Sequence, residues 1–413
     1  MGDILTTIAS GDSPIYLITA HGRQPLAAQP DERLIDVLRR HGVPWSALSI
    51  YVAPRDGGEH VLRPCLDSLV RELRAEALEV LLYFNRNVNP FLFSVADFAR
   101  IEAEGDGPDA TEYLYQRLDN QRGRADVYLK KFSPEECRAV IAARVTDTLR
   151  ETMPDGGKLV VGVSGGGDSN AMLHGLSVAA AELRIEVHPV IIKGIPDWDL
   201  GVPRAQKLCD DYGLNLKIVE ESEVRGLLKI PSDGASLIER FEAEFQGDDF
   251  EFLGTLLIRL ALSAQARALG TDMIATGVNL EDILCENLFR VSNGLAPGSA
   301  PMRAIGDIKL IYPLWMCPKR IIDGCFPKLS LENYEARYPC FSLGRNLYYS
   351  VIYSMQSEFP AFVEQLARGL GQIATKDPVI YNFDEKLGFH VERFVPFPLR
   401  HRFARMVGGE DKR

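Results

Sequence analysis

The sequence predicts an α/β protein with a doubly wound parallel sheet and an additional α+β domain at its N-terminus. Three observations carry this prediction. Short apolar runs alternate with helical patterns from residue 158 to residue 276, as in consecutive βαβ units. The apolar run at 159–163 leads directly into three glycines, which is typical of a strand buried on both faces of a parallel sheet. The length of 413 residues exceeds one ordinary domain.

The N-terminal part begins with a strand, a turn and a short helix. Alternating apolar residues predict a strand at 15–19, and a turn follows at 21–22. Asp31 is the expected N-cap of a helix that Gly42 ends, and a further strand is predicted at 47–52. This order resembles the start of a β-grasp, ubiquitin-like fold.

The next segment carries weaker signals. Residues 65–79 are predicted to form a helix, and residues 80–93 a strand with an Asn-rich bend. Gly, Asp, Pro and Asn punctuate residues 102–123, which predicts a surface connection and a domain boundary. A helix is then expected from Ser133-Pro134 onward, because proline is favoured at the first helical position.

The predicted α/β domain follows in chain order. A strand at 159–163 is followed by a helix at 170–183, a strand at 185–192, a helix at 201–212 and a strand at 215–219. A charged segment at 232–247, an apolar helix at 253–269 and a strand at 273–276 complete the alternation. The predicted domains are therefore 1–125 (α+β), 126–335 (α/β) and 336–413 (a helical extension with a basic and aromatic tail).

The composition is that of a globular protein without a membrane segment. Hydrophobic residues make up 46% and charged residues 25% of the chain, and no run of eighteen apolar residues occurs. The N-terminus lacks the basic and apolar regions of a signal peptide, so we expect a cytoplasmic protein with no membrane partner. The net charge of −11 argues against a dedicated nucleic-acid binder without excluding a local basic patch.

The seven cysteines are scattered along the chain. No C-x-x-C pair is present, so the pattern fits reduced thiols better than a disulfide framework. Structural zinc sites and iron–sulfur clusters normally draw on such local pairs, so no metal cluster is expected.

The motif with the clearest chemical meaning is the turn after the strand at 159–163. Its residues are Ser164, Gly165, Gly166, Gly167, Asp168 and Ser169. Missing Cβ atoms let backbone N–H groups close around an anion, and the following helix directs its positive end to the same place. The turn therefore predicts a phosphate-binding site, with an unliganded glycine-rich turn as the alternative.

A hydrolytic NTPase loop ends in Gly-Lys-Ser/Thr, but here Asp168 follows the last glycine. The SGGGDS sequence, with a strand before it and a helix after it, instead resembles the loop of the ATP pyrophosphatase superfamily. That resemblance implies cleavage of ATP between its α- and β-phosphates. It also accounts for Asp168, since Mg²⁺ prefers carboxylate and phosphate oxygens. ATP and Mg²⁺ are the expected cofactors.

A second constellation begins at residue 274, with IATGVNLEDILCENLFRVSNGLAPGSAPM followed by IYPLWMCPKRII. It resembles the superfamily branch that modifies tRNA, the 2-thiocytidine and lysidine synthetases. The matching residues are Gly277, Asp282, Asn287, Arg290, Gly294, Leu295, Met302, Pro313 and Leu314. The likeness extends from about residue 135 to residue 368 and leaves the N-terminal part uncovered.

This resemblance implies roles for several residues. Gly277 ends a strand beside the nucleotide, and Asp282 is expected to share a Mg²⁺ ion with Asp168. Arg290 is expected to neutralise charge on the leaving pyrophosphate, and Lys319 to contact phosphate. The alternatives are a helix-start acid for Asp282, a helix C-terminal cation for Arg290 and a solvated side chain for Lys319.

The sequence also departs from the family pattern. Thiolases of this kind place C-x-x-C between the third strand and the long helix, where this chain reads GDDFEFLGTLLIR. Val278 replaces the histidine found before the acid in many relatives. Cys340 lies near the place of another thiolase cysteine and is a candidate catalytic thiol. The alternative is a small buried hydrophobic residue.

The predicted function is adenylation of a substrate oxygen with pyrophosphate release, followed by displacement of AMP by a sulfur or nitrogen nucleophile. A tRNA nucleobase is the first substrate hypothesis, with a sulfur or amine donor as partner. Alternatives are a free metabolite, a deazapurine precursor, a protein terminus, or a non-catalytic nucleotide sensor. The tail at 393–405, RFVPFPLRHRFAR, interleaves basic and aromatic residues and is a candidate RNA contact, or else a solvated tail.

Overall fold

The computed structural model describes residues 14–19, 22–76, 78–85, 101–104, 111–117, 126–230, 234–245, 250–337, 346–358, 362–393 and 397–408. The chain divides into two compact units. The first unit contains residues 1–140 and 318–366, and the second contains residues 141–317 and 367–413. The domain boundaries predicted at 125 and 335 stay predictions. No helix within the described ranges has the length and apolar character needed to cross a bilayer.

The first unit begins with a five-stranded sheet. Its elements are β1 (Ile15–Thr19), β2 (Gly22–Pro25), α1 (Leu34–Arg40), β3 (Leu48–Pro54), β4 (Val61–Leu62), α2 (Val70–Ala75) and β5 (Leu78–Phe84). The strand order is β2-β1-β5-β3-β4, with β1 parallel to β5 and the other neighbours antiparallel. The β-grasp-like start that the sequence predicts for this region stays a prediction. Gly42 ends α1 with a φ of 67°, a conformation that glycine adopts without strain.

The helix predicted at 65–79 is mostly wrong, because α2 contains only six residues. Residues 66–69 instead complete the start of α1. The N–H groups of Leu34 and Ile35 donate to the carbonyls of Ser68 and Leu66, respectively. The backbones of Arg33 and Leu69 form an isolated antiparallel β-bridge. Those carbonyls are therefore not available for helical hydrogen bonds within 65–69.

The segment predicted as a surface connection contains strands. A second sheet of this unit has the order β6-β8-β7, formed by β6 (Ile101–Glu104), β7 (Thr111–Arg117) and β8 (Asp126–Phe132). The run TEYLYQR of β7 is rich in residues with high β-propensity. The helix α3 (Pro134–Thr152) then begins at a capping box: Ser133 Oγ accepts from the Glu136 N–H, and the Ser133 N–H donates to the Glu136 carboxylate.

The second unit contains the predicted α/β sheet. Its elements are β9 (Gly157–Gly162), α4 (Gly167–Leu183), β10 (Ile185–Ile192), α5 (Pro196–Asp199), α6 (Val202–Asp211), β11 (Lys217–Val219), α7 (Glu221–Leu227), α8 (Leu237–Glu244), α9 (Phe250–Leu269), β12 (Met273–Ala275), α10 (Leu280–Ser292), β13 (Met302–Ile305) and β14 (Ile308–Ile311). The strand order is β11-β10-β9-β12-β14-β13, in which only β13 is antiparallel. The predicted α/β fold is confirmed.

The strand order reverses beside β9. The chain passes from β9 to β10 and β11 on one side and later returns to β12 on the other. Ile274 and Ala275 of β12 pair with Val160 and Val161 of β9. In open α/β sheets, ligands bind outside the carboxyl ends of strands where the order reverses. The turns that follow β9 and β12 flank this position.

The rest of the chain contributes to both units. The first unit gains α11 (Lys319–Cys325), α12 (Pro327–Arg337) and α13 (Asn346–Glu358); α14 (Phe362–Lys376) begins there and continues in the second unit, which also contains β15 (Tyr381–Asp384), β16 (Phe389–Glu392) and α15 (Phe397–Met406). Phe389 of β16 and Phe403 of α15 join the apolar core around β9, β10 and α9. The C-terminal elements are thus part of the second unit's core.

One face of the five-stranded sheet is covered by α12. Tyr334 of α12 packs against Tyr51 and Tyr83, with its ring stacked 6.0 Å from that of Tyr83. Asp323 of α11 accepts hydrogen bonds from Ser49 of β3, at 2.8 Å, and from Tyr334. The sheet is therefore completed by residues that lie about 270 positions later in the chain.

Candidate active site

The loop after β9 is held by its two serines. The Ser164 N–H donates to Ser169 Oγ at 2.9 Å, and the two hydroxyl oxygens are 3.1 Å apart. Gly166 is the extended N-cap residue of α4, with a φ of −89° and a ψ of 176°. Gly167 and Asp168 form the first turn of α4, so the predicted loop leads directly into a helix N-terminus. Such a terminus attracts an anion through its unpaired N–H groups and its dipole.

Gly165 is sterically required in this loop. Its φ is 77°, and a Cβ there would lie 2.7 Å from both the Ala205 nitrogen and the Gly201 carbonyl oxygen. A Cβ on Gly201 would lie 2.5 Å from the Ser164 carbonyl oxygen. The two glycines let the loop and the start of α6 approach closely, so the N-termini of α4 and α6 both lie at the loop.

Asn279 joins the two predicted acidic residues. This fully buried side chain donates from Nδ2 to Asp168 Oδ1 at 3.0 Å and accepts at Oδ1 from the Asp282 N–H at 3.0 Å. Asp282 Oδ2 accepts from the Asn279 N–H at 3.2 Å, which completes a capping box for α10. Asp168 and Asp282 therefore lie on the two sides of one asparagine, at the strand-order reversal. Their assignment to catalysis and metal binding stays a prediction.

The residues around Asp168 fit a Mg²⁺ ion bound together with a nucleotide. Mg²⁺ is usually held by one or two carboxylates plus substrate phosphates. Asp168 and Asp282 supply two carboxylates beside an anion-binding loop. Within the described part of the chain no cluster of three or more His, Cys, Asp or Glu residues is arranged to hold a metal without such phosphates.

Gly277 and Asn170 complete the surroundings of the loop. A Cβ on Gly277 would lie 3.7 Å from the Asp168 carbonyl group and from Met172 Cε, so β12 ends against the first turn of α4. Asn170 is buried on α4, and its Oδ1 accepts a hydrogen bond from Tyr212 Oη at 3.1 Å. Both residues fix the start of α4 relative to its neighbours.

Arg290, predicted to contact pyrophosphate, binds protein acceptors in this structure. Its Nη1 and Nη2 donate to Glu392 at 2.8 and 2.7 Å, and its Nε donates to the Ala296 carbonyl at 2.7 Å. The Arg290 and Glu392 side chains are only 8% and 18% exposed. This bidentate pair connects α10 to β16, and the contact of Arg290 with pyrophosphate stays a prediction.

The two remaining predicted site residues are Lys319 and Cys340. Lys319 belongs to the first unit, where its buried Nζ lies 3.2 Å from Asp323 Oδ1. Its predicted phosphate contact stays a prediction. Cys340 lies outside the described residues.

The six described cysteines are all buried, and none of them forms a disulfide. Burial raises the pKa of Cys137 to about 12 and that of Cys209 to about 11. A buried thiol with a raised pKa is a poor nucleophile.

The described arginines of α15, in the predicted basic tail, contact the rest of the second unit. Arg402 of α15 lies over the Phe245 ring at 4.2 Å and donates to the Glu244 carbonyl, while Arg405 pairs with the Glu244 carboxylate at 2.8 Å. Arg400 forms an ion pair with the buried Asp384. These guanidinium groups therefore hold α15 against α8 and the β15–β16 hairpin.

Sequence reasoning missed three residues at the loop: Gly201, Arg204 and Asn279. The asparagine precedes a helix with an acid three positions later, the signature of a capping box. Gly201 and Arg204 carry no comparable local signal, because their importance comes from the close approach of α6 to the loop.

Comparisons with known proteins found relatives in the predicted branch. No family model matches the chain. It is 28% identical over 169 residues to the cytoplasmic tRNA 2-thiolation protein 1 of Drosophila mojavensis, covering 40% of this chain and 46% of that protein. It is 26% identical over 254 residues to the tRNA(Ile)-lysidine synthase of Shewanella woodyi, covering 58% and 48%. The chain thus spans about half the length of the curated relatives it matches.

One solved structure that matches is the U34-tRNA thiolase NcsA of Methanococcus maripaludis with its 4Fe-4S cluster. The TM-score is 0.46 at 20% identity, over 59% of this chain and 81% of that one.

Proposed function

Because this chain belongs to the ATP pyrophosphatase (PP-loop) superfamily, we propose that it is an AMP-forming enzyme that modifies a tRNA nucleobase. It adenylates an oxygen of the base and releases pyrophosphate, and a sulfur or nitrogen nucleophile then displaces AMP. One observation supports this proposal most directly. The Ser164–Ser169 loop lies at the strand-order reversal, and Asp168, which accepts a hydrogen bond from Asn279, occupies the position of the lysine in a hydrolytic NTPase loop.

The proposed reaction depends on groups that stabilise negative charge on the phosphates. The substrate oxygen attacks the α-phosphorus of ATP, and the bond from that phosphorus to the bridging oxygen of the β-phosphate breaks. Backbone N–H groups of the loop and the N-termini of α4 and α6 are fixed in advance, so they stabilise the pyrophosphate as it leaves. Asp168 and Asp282 would hold Mg²⁺, which neutralises phosphate charge when it is bound.

The role of Asn279 is to set the positions of the two carboxylates. Its amide holds Asp168, and its backbone N–H and side-chain oxygen hold Asp282. Because these contacts are made by the chain's own residues, the carboxylates need little reorganisation when ATP binds. This preorganisation is a property of the folded chain.

The tRNA substrate is supported by the names of the relatives, tRNA 2-thiolation protein and tRNA(Ile)-lysidine synthase. The arginines of α15 give it less support than the sequence predicted, because Arg402 and Arg405 bind Glu244 and its neighbour Phe245. A free metabolite or a protein terminus therefore stays the second candidate. If sulfur is the nucleophile, the six described thiols are poor carriers for it, which leaves Cys340 or an external donor.

The test is product analysis. With ATP, Mg²⁺ and tRNA, the protein should release AMP and pyrophosphate, and Asp168→Asn should abolish this release. Asp210→Asn is the matched control, because Asp210 is an exposed acid on α6 that pairs with Gln206. ADP and phosphate as the main products would refute the proposed chemistry.

The substrate is tested separately by mass spectrometry of tRNA nucleosides and of metabolites from cells with and without the gene. A nucleoside that disappears with the gene supports tRNA, whereas a change confined to metabolites supports the second candidate.

A further inference from the structure

We propose that Arg204 is a pyrophosphate-binding residue of this site, contributed by α6 rather than by the loop or α4. The inference rests on the proposed function and deepens it by naming the group that meets the leaving pyrophosphate. It rests on the position of Arg204, on the lack of a partner for it among the described residues, and on its place in the helix.

Arg204 lies next to the loop. A Cβ built on Gly165 would lie 2.8 Å from Arg204 Cβ, as close as it would lie to the backbone at the start of α6. The Arg204 side chain therefore starts beside Gly165, the first glycine of the loop. An arginine side chain that starts there is long enough to reach an anion bound at the N-terminus of α4.

Among the described residues, none is a partner of the Arg204 side chain. Across the described residues it makes no hydrogen bond, ion pair or ring contact, although its Nε is buried. Arg290 and Arg303 of the second unit, which are more buried, each have a carboxylate partner. A buried guanidinium nitrogen without an acceptor is unfavourable, and a phosphate oxygen would satisfy it.

The position of Arg204 within α6 is also unfavourable without an anion. It is the third residue of the helix, and no acid occupies that first turn. A cation there opposes the positive end of the helix dipole, whereas acids are normally favoured. A phosphate at the loop would interact favourably with both the dipole and the guanidinium group. The positive charge of Arg204 at this position is therefore unfavourable in the free protein and favourable in a complex with an anion.

In the proposed reaction, the bond between the α-phosphorus and the bridging oxygen breaks, and its electron pair leaves with pyrophosphate. A planar guanidinium group donates two parallel hydrogen bonds to phosphate oxygens, so Arg204 stabilises charge that grows on pyrophosphate during this step. Binding of AMP, which keeps only the α-phosphate, is not expected to depend on Arg204.

The experiment measures binding of Mg²⁺–pyrophosphate and of AMP to the purified full chain by calorimetry. Arg204→Gln should weaken pyrophosphate binding about 10- to 100-fold and leave AMP binding unchanged. Arg204→Lys, which keeps the charge but loses the bidentate geometry, should fall in between. Lys207→Ala is the matched control, because Lys207 lies one turn later on α6 and pairs with Asp211 at the surface. Thermal unfolding checks that each variant is folded.

The outcomes separate the two proposals. Unchanged pyrophosphate affinity in Arg204→Gln, in a protein that forms AMP, overturns this inference alone. Arg204-dependent pyrophosphate binding in a protein that makes ADP overturns the proposed chemistry and supports the inference. No binding of ATP or pyrophosphate by the unaltered protein overturns both.

Discussion

The ion pair between Arg290 and Glu392 gives the most direct test of a structural against a catalytic role. Replacing Arg290 with Met removes its two hydrogen bonds to Glu392 and the one to the Ala296 carbonyl, and it leaves the Glu392 carboxylate, 18% exposed, without its counter-charge. Breaking a buried pair in this way costs about 3–5 kcal/mol. A change of about 1.4 kcal/mol alters an equilibrium constant tenfold. Amides of the β15–β16 hairpin that exchange by local opening should therefore exchange about 100-fold faster or more.

The assay is hydrogen exchange of residues 381–392 followed by mass spectrometry. Arg267→Met is the matched control, because the Arg267–Asp307 pair is also bidentate but is about half exposed, so its loss should cost about 1 kcal/mol or less. The double variant Arg290→Met with Glu392→Met should recover most of the protection. Loss of AMP formation in Arg290→Met, with unchanged exchange in the hairpin, would refute this reasoning and restore the catalytic role.

Three further predictions concern the loop, the thiols and the tail. Gly165→Ala should abolish nucleotide binding, whereas Gly213→Ala, which has a similar φ of 66° but open space around its Cβ, should cost only about 1 kcal/mol of stability in thermal unfolding. A thiol titration of the native Cys340→Ser variant at pH 8 should find no fast-reacting thiol, since burial raises the pKa of Cys209 to about 11; rapid labelling of a described cysteine would contradict this. Arg402→Ala should lower the unfolding temperature without changing the salt dependence of tRNA binding, because Arg402 contacts the Phe245 ring and the Glu244 carbonyl. A weaker salt dependence of tRNA binding in this variant would restore the RNA-contact hypothesis.

The α/β sheet and the loop could be predicted from sequence because their signals are local. The strand, glycines and helix start lie within about fifteen residues, and each has its own pattern. The contacts of Arg290 could not be predicted, because its partner Glu392 is 102 positions away and belongs to a hairpin without a clear motif. For the same reason the basic pattern of α15 did not reveal its acidic partners on α8. The helix expected at 65–79 failed because hydrogen bonds from α1 compete for the same carbonyls.

The N-terminal sheet is covered by helices α11 and α12, which come much later in the chain, and this order matters during synthesis on the ribosome. Ser49 and its acceptor Asp323 are 274 residues apart, and Tyr334, which covers the same sheet face, is made later still. At roughly 5–20 residues per second, Ser49 waits about 14 to 55 s after its own synthesis for Asp323. During that interval the apolar face formed by Tyr51, Leu81 and Tyr83 is open to other chains. We expect the first 85 residues, expressed alone, to bind chaperones or aggregate, and to become soluble when residues 318–337 are supplied in trans.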